Sequence, residues 1–409
     1  MTIRKLFFWM HLIAGSIAGT VILIMSLTGV LLTYEKQITA WADHRGYGSA
    51  PRRSGASRMS VEALIARVRD ARNATPSTVT LRNDPDSPAV FAFGRDNAVL
   101  ADAFTGEILG EGSRGVRAFF RAVTDWHRWL GADGRNRAAA RAVTGACNLA
   151  FLFLVMSGLY LWWPSTWTRQ TLRAVTWFRG GLSGKARDFN WHNVIGFWCC
   201  VPLFFIVLSG VVMSYPWANN LVYRLGGSTP PAQGMRPGAG RPERGKATEL
   251  RGARPTEQPG SFNAPPLNLS LHGIDRLWNR AEEQVAGWRS ISLRLPASER
   301  APLTFTIDEG GAGQPQKRST LTLSRATGEI VRLETFSSLD AGRRLRVWLR
   351  FVHTGEYYGW VGQTLAGIAS LGGVFLVYTG LALALRRLSA WRKRNKRRAG
   401  EAQAVFAER

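Results

Sequence analysis

Apolar residues are concentrated in four long blocks of the chain, and polar or alternating sequence separates the blocks. Each block approaches or exceeds the ~20 residues that a helix needs to cross the hydrocarbon core of a bilayer. The mean hydropathy of −0.09 conceals this mixture of apolar blocks and polar domains. The pattern predicts four transmembrane helices, assigned to residues 1–34, 141–163, 192–216 and 360–385.

The first block is the one that resembles a signal peptide, since Arg4 and Lys5 precede it. Its apolar run is too long for the hydrophobic region of a signal peptide, and no small-x-small cleavage site follows. We therefore interpret it as a retained signal anchor.

Basic residues in the short flanks predict the orientation of the four spans. They occur before the first span, in the loop 164–191 and in the tail 386–409. By the positive-inside rule these segments are cytoplasmic, as are both termini. The long segments 35–140 and 217–359 then lie on the other side of the membrane, and the basic tail is suited to contact anionic lipid headgroups.

Charge and cysteine content exclude two other classes of protein. The net charge of +25 would suit nucleic-acid binding, but four spans argue against a nucleic-acid partner. All three cysteines lie inside predicted spans, so they supply neither a disulfide framework nor a zinc site.

The two long outer segments contain the same small α+β module, at 58–112 and again at 270–335. In each module an amphipathic helix is followed by short alternating segments typical of strands. The segment Val79–Arg82 matches Ile291–Arg294, and the Thr-Gly-Glu-Ile sequence at Thr105 recurs at Thr327. Recurrence of several elements in one order indicates duplication. The fold class is therefore a mixed membrane protein: a four-helix transmembrane bundle formed by internal duplication, with two outer α+β modules.

The segment 225–266 interrupts this repeat and is rich in Pro, Gly and charged residues. Such a composition buries too little apolar surface to offset the entropy of ordering it. We predict a disordered insertion.

The first and third spans are built to one pattern. Each opens with a histidine, His11 or His192, and each has a glycine four residues later, Gly15 or Gly196. The topology puts both histidines near the cytoplasmic side.

A second pair of histidines precedes the second and fourth spans. His127 lies in an amphipathic helix predicted over 114–131, and His353 lies in the matching stretch of the second half. Both are expected near the outer side. The repeat is imperfect here, because His353 lies four residues closer to its span than His127 does to its own.

These four histidines are candidate axial ligands of two haems, one between His11 and His192 and one between His127 and His353. Imidazole binds haem iron, and the small neighbours Gly15 and Gly196 leave room for a flat macrocycle. Ionisable residues at a membrane also indicate function. The alternative is that the histidines are interfacial polar residues and the glycines serve helix packing.

Taken together, these motifs resemble those of the PepSY-associated transmembrane proteins, close to the siderophore-iron reductases of bacterial inner membranes. The matching motifs are His11 with LTGVLLTY, the repeated TGEI, WHRWL at His127, WHNVIG at His192 with LSGVVMSYPW, and FVHTGEYYG at His353. The resemblance implies two periplasmic PepSY modules, b-type haem bound by membrane histidines, and reduction of a ferric chelate delivered to the periplasm. Some members carry a fused flavin-binding domain, whereas only a short basic tail follows Arg386 here, so a separate electron donor is expected.

We therefore expect a dihaem oxidoreductase that passes electrons from a cytoplasmic donor or membrane quinol to a ferric siderophore or other ferric chelate, and releases Fe(II). Two alternatives stay open. One is a haem-free membrane sensor or scaffold in which the PepSY modules bind peptides or protease domains. The other is a transporter of the chelate itself, which the absence of charged residues deep in the spans makes less attractive.

Overall fold

The computed structural model describes residues 2–45, 57–94, 97–164, 166–230, 265–311 and 313–407. The chain divides into a helical unit, Met1–Gln37 with Ala118–Asn219 and Val347–Arg409, and a sheet unit, Ile38–Arg117 with Asn220–Arg346. Most of the predicted insertion 225–266 lies outside the described residues, which resume at Pro265.

The helices among the described residues are α1 (Ile3–Leu32), α2 (Glu35–His44), α3 (Val61–Arg72), α4 (Arg114–Trp129), α5 (Arg137–Trp162), α6 (Arg169–Thr176), α7 (Gly184–Ser214), α8 (Pro216–Leu225), α9 (Ile274–Gln284), α10 (Ala341–His353) and α11 (Gly359–Ala407). The strands are β1 (Thr78–Arg82), β2 (Ala89–Phe93), β3 (Asn97–Ala101), β4 (Ile108–Glu111), β5 (Ser290–Arg294), β6 (Leu303–Asp308), β7 (Arg318–Leu323) and β8 (Ile330–Thr335).

Four long helices, α1, α5, α7 and α11, form the helical unit. Helix α1 packs against α5 and α11, and α7 packs against the same two helices. Helices α1 and α7 are therefore diagonal neighbours across the interior of the bundle. Two of the helices end next to a proline, which lacks the backbone N–H that would continue the helix. Pro164 follows the end of α5, and Pro216, the first residue of α8, follows the end of α7.

The outer surface of the bundle is apolar. All four helices are long and apolar enough to cross a membrane, and only 22% to 33% of each apolar window is buried inside the protein. Large side chains such as Ile17, Trp198 and Leu365 project from the bundle with more than half of their surface exposed. A continuous exposed apolar surface of this kind is expected where helices face lipid.

Two of the helices extend beyond the predicted spans. Helix α7 begins at Gly184, eight residues before the predicted start at 192, and α11 continues through the basic tail to Ala407. The added segments are polar and rich in Arg, Lys and Ala, which favour helix without being apolar. Hydropathy therefore located the spans and missed the helical extensions.

The sheet unit contains one antiparallel eight-stranded sheet in the order β4-β3-β2-β1-β5-β6-β7-β8. The two predicted modules thus share a sheet, joined where β1 pairs with β5 in the register Thr80↔Ser292. The hydroxyl groups of these two residues lie 2.8 Å apart. Pairing the first strands of both modules covers two edges that would otherwise be exposed.

Helices α3 and α9 cover one face of this sheet. Their apolar faces, with Leu64 and Leu277 fully buried, pack on Phe91 and Phe305 of the strands. The two helices also cap each other: Asp275 accepts the Glu62 N–H at 2.9 Å, and Glu62 accepts the Asp275 N–H at 3.1 Å. Each carboxylate satisfies a donor that the start of a helix leaves unpaired.

The repeated Thr-Gly-Glu sequence forms the same turn in both halves. Gly106 has φ +68° and Gly328 has φ +73°, a backbone conformation that residues with a Cβ rarely adopt. The N–H of Gly106 donates to the Asp102 carbonyl at 2.9 Å, and that of Gly328 donates to the Ser324 carbonyl at 2.8 Å. This turn geometry explains why glycine occurs at both positions.

Candidate functional site

The structure brings His11 and His192 together inside the helical unit. His11 projects from α1 and His192 from the diagonally opposite α7, and their ring centroids are 6.4 Å apart. The ring planes are inclined at 84°. The two imidazoles therefore lie close together, with their planes nearly perpendicular, between diagonally opposite helices.

His127 of α4 and His353 of α10 form a second pair with nearly the same geometry. Their ring centroids are 6.3 Å apart and their planes are inclined at 65°. The two histidines lie close together although His353 is four residues closer to its span than His127 is to its own.

Differences in the connecting segments compensate for this four-residue shift. Helices α5 and α11 both begin eight residues before their matching glycines, Gly145 and Gly367. The connection 354–358 is two residues shorter than the connection 130–136, and His353 is the last residue of α10 whereas His127 lies two residues before the end of α4.

A hydroxyl group accepts a hydrogen bond from each imidazole of the first pair. The Nδ1 of His11 lies 2.9 Å from Ser157 Oγ on α5. The Nδ1 of His192 lies 2.9 Å from Thr379 Oγ1 on α11. All four helices of the bundle thus contribute one side chain to this site.

The second pair has the same arrangement. The Nδ1 of His127 lies 2.9 Å from Thr28 Oγ1 on α1. The Nδ1 of His353 lies 3.1 Å from Ser209 Oγ on α7, and 2.8 Å from the carbonyl oxygen of Ile206.

The hydroxyl groups determine which imidazole nitrogen carries the proton. Each hydroxyl donates its single proton to a carbonyl of its own helix, as Ser157 does to Phe153 at 2.7 Å and Thr379 does to Phe375 at 2.7 Å. It can therefore only accept from the histidine, so Nδ1 is the protonated nitrogen. In a neutral ring this leaves the Nε2 lone pair free to bind a metal, with Nδ1–H fixing the orientation of the ring.

A glycine follows every one of the four hydroxyl residues, as Gly29, Gly158, Gly210 and Gly380. A Cβ on Gly158 would lie 3.4 Å from Cε1 of His11, and one on Gly380 would lie 3.4 Å from Cε1 of His192. A Cβ on Gly29 would lie 3.7 Å from Cε1 of His127. These glycines keep the space beside three of the four imidazoles clear.

The glycines singled out from the sequence, Gly15 and Gly196, face neighbouring helices. A Cβ on Gly15 would lie 3.7 Å from a methyl of Leu154, and one on Gly196 would lie 3.6 Å from a methyl of Leu376. Both are ordinary contact distances. The space that Gly15 and Gly196 leave therefore borders leucine side chains one helical turn along from His11 and His192.

Electrostatics keeps the second pair neutral. Burial, with His353 close by, lowers the pKa of His127 to about 4. Burial also lowers the pKa of His353. Both imidazoles are therefore uncharged at neutral pH, which is the protonation state that binds a metal.

A known protein family matches most of the chain. The sequence model of the PepSY-associated TM region matches residues 8–387, from the second turn of α1 to the middle of α11. The chain belongs to this family. It is therefore a PepSY-associated membrane protein, and the matched region contains all four histidines. No curated protein matches the chain.

The sites of this PepSY-associated protein consist of two imidazoles each. Among the described residues, His, Cys, Asp and Glu form no group of three or more that could hold a metal ion. Two imidazoles close together can supply both axial ligands of a cofactor that brings its own equatorial ligands.

The hydroxyl residues Thr28, Ser157, Ser209 and Thr379 escaped the sequence analysis. The signal that identifies them is a Ser/Thr-Gly pair that occurs in each of the four spans. The role of the residue before each glycine depends on a histidine from another helix, so it is not visible in any single span.

Proposed function

We propose that this protein is a dihaem oxidoreductase of the bacterial inner membrane that carries electrons to a periplasmic ferric chelate, such as a siderophore, and releases Fe(II). His11 and His192 would hold one b-type haem, and His127 and His353 the other. The observation that carries this proposal is the pair of matched imidazole gaps, each with its Nδ1 atoms bonded to hydroxyl groups.

The gap between the rings is the first support. With metal–nitrogen bonds of about 2.0 Å and about 1.1 Å from each nitrogen to its ring centroid, two imidazoles on one metal ion have centroids about 6.2 Å apart. The observed separations are 6.4 Å and 6.3 Å. Both separations match this spacing, which supports a haem held by each pair.

The protonation of the imidazoles is the second support. A haem held by both histidines of a pair would supply one-electron chemistry, which favours electron transfer over oxygen chemistry. Ser157, Thr379, Thr28 and Ser209 would hold the Nδ1 protons and orient the rings. The surrounding apolar side chains would exclude water.

The distance between the two pairs is the third support. Seventeen residues of α1 separate His11 from Thr28, the partner of His127, and this corresponds to about 26 Å along a helix axis. Two sites at this separation span most of the ~30 Å hydrocarbon core. They suit the transfer of electrons from one side of a membrane to the other.

The orientation rests on charge. The basic residues of the loop 164–191 and of the region after Arg386 favour a cytoplasmic position for the end that carries His11 and His192. The sheet unit, with its two PepSY-like modules derived from an internal duplication, would then be periplasmic. The donor would be a cytoplasmic reductant or the quinol pool.

The electron balance is simple. Each ferric ion in the chelate takes up one electron and becomes Fe(II). The hard oxygen donors of a siderophore hold the less charged ion more weakly, so Fe(II) is released.

The test uses the purified protein, expressed with ample haem and kept anaerobic. We expect a Soret band, reduction by dithionite, and reoxidation by ferric siderophores together with trapping of Fe(II) by a ferrous chelator. Absence of haem would contradict the proposal and favour a haem-free sensor or scaffold. Uptake of the chelate into proteoliposomes without formation of Fe(II) would favour a transporter.

A further inference from the structure

A cavity of about 480 Å³ opens on the helical unit beside His192. Its lining residues are Phe178, Arg179, Gly180, Trp191, Ile195 and Phe375. Sites for small organic ligands have volumes of about 300–1,000 Å³ and mostly apolar walls, so both properties fit a ligand of that size.

A buried side chain holds one wall of the cavity in place. Asn190 of α7 is 5% exposed. Its amide oxygen accepts the N–H of Arg179 at 3.1 Å, and its amide nitrogen donates to the carbonyls of Ala174 and Trp177 at 3.0 Å and 3.2 Å. The turn that carries Phe178 and Arg179 is thereby fixed against α7, so the cavity is a built feature of the bundle.

Aromatic rings dominate the lining. The ring of Trp191 makes edge-to-face contacts with Phe178 and Phe375, at centroid distances of 6.3 Å and 6.5 Å. Phe178 is nonetheless 53% exposed and Phe375 is 39% exposed. Aromatic faces left open to a cavity favour a flat aromatic ligand.

The cavity is connected to the first histidine pair by two short paths. Trp191 directly precedes His192 in α7. The carbonyl of Phe375 accepts a hydrogen bond from the Thr379 hydroxyl at 2.7 Å, and that hydroxyl accepts the Nδ1 proton of His192. A redox ligand in the cavity would therefore contact Trp191, the neighbour of His192 in α7, and Phe375, whose carbonyl accepts from Thr379.

We propose that this cavity binds the head group of a membrane quinol, which is the electron donor. The inference rests on the proposed function. One quinol would give up two electrons, one at a time, which would pass by way of the His11–His192 site to two ferric ions of the chelate. Its two protons would pass to water at the basic face, and the product would be the quinone.

The chemistry of the walls selects a quinol over a water-soluble donor. Three of the lining residues lie on the membrane-spanning helices α7 and α11, where an isoprenoid tail is soluble and a nucleotide is not, and the other three form the turn 178–180 that precedes α7. The aromatic rings suit the head group. Arg179 is the charged residue of the lining, and its guanidinium N–H groups can donate hydrogen bonds to a quinol oxygen.

The test measures anaerobic haem reduction by decylubiquinol in the purified, haem-loaded protein, with dithionite as the reference reductant. We expect fast reduction of the wild type and at least a tenfold loss of rate in Trp191→Ala and in Phe178→Ala. Trp191→Phe keeps an aromatic ring and should recover most of the rate that Trp191→Ala loses. The matched control is Trp217→Ala, an exposed tryptophan in α8, which should also stay close to the wild type.

A second measurement, saturable binding of decylubiquinone, is made on haem-free protein. Equal quinol rates in all variants, or no quinol reduction of a protein that dithionite reduces, would overturn the quinol assignment and leave the proposed function intact. Protein that binds no haem would refute the proposed function, while Trp191-dependent quinone binding would still support the cavity. A cavity that accepts only lipid acyl chains would show no saturable quinone binding, which overturns the assignment.

Discussion

Removing the hydroxyl of Ser157 tests the hydrogen bond that orients His11. Ser157 is 2% exposed, and its Oγ lies 2.9 Å from Nδ1 of His11, the one hydrogen-bond partner of that ring among the described residues. Ser157→Ala leaves the buried Nδ1–H without its acceptor. Ser157→Thr is the matched control, because Thr379 performs the same role for His192.

The expected magnitude follows from the unsatisfied donor. A buried N–H that loses its acceptor costs about 1–3 kcal/mol. At about 1.4 kcal/mol for each factor of ten, this is roughly a 5- to 150-fold loss of affinity. Substitutions of residues that orient metal ligands typically weaken metal binding by about 10- to 100-fold, in the same range.

The assay is the transfer of haem from the protein to an excess of apomyoglobin. Ser157→Ala should release one of its two haems about 10- to 100-fold more readily, whereas Ser157→Thr should resemble the wild type. Ser209→Ala should have a smaller effect, because the Ile206 carbonyl still accepts from His353 at 2.8 Å. Equal haem retention in Ser157→Ala and Ser157→Thr would refute the assigned role of the hydroxyl.

Two further predictions follow from the geometry. Gly158→Val should prevent haem binding at the first pair and leave the second haem in place, because a Cβ at this position already lies 3.4 Å from His11 Cε1. Counting the haems bound per chain checks this prediction, and retention of both haems would contradict it. The double variant Thr80→Cys/Ser292→Cys should form a disulfide on mild oxidation, since these residues are directly paired across β1 and β5 and fall within the usual Cα separation of about 4.4–6.8 Å. Thr80→Cys/Thr306→Cys, in which the second cysteine lies one strand further away, is the control, and equal cross-linking of both pairs would contradict the register.

Features that depend on local pattern could be predicted from the sequence. The four apolar blocks correspond to α1, α5, α7 and α11, and alternating segments such as Val79–Arg82 lie in the strands. The glycines of the repeated Thr-Gly-Glu turn were also recognisable, because a positive φ constrains the residue type.

Features that depend on contacts between distant segments could not be predicted. The pairing of β1 with β5 joins segments about 210 residues apart, and nothing in either strand specifies its partner. The hydroxyl partners of the histidines come from other helices, so their role is invisible along any single span. In the sequence, Asn190 is one polar residue near the start of a helix. In the structure it fixes the wall of the cavity by hydrogen bonding to a turn ten or more residues away.

The repeat was informative about the site for a different reason. Both copies of the pattern carry a histidine at matching positions, and a twofold arrangement brings matching positions together. His11 with His192 followed from this symmetry directly. The pairing of His127 with His353 was predicted from the same symmetry although His353 lies four residues closer to its span, and a shorter connection in the second half compensates for that shift.

Counting haem in single-histidine variants tests the central claim most directly. Pyridine haemochrome spectra of the purified protein should give two b-type haems per chain for the wild type. They should give one for each of His11→Ala, His192→Ala, His127→Ala and His353→Ala. A wild type without haem, or variants that all retain two haems, would contradict the assignment of these four histidines as the ligands.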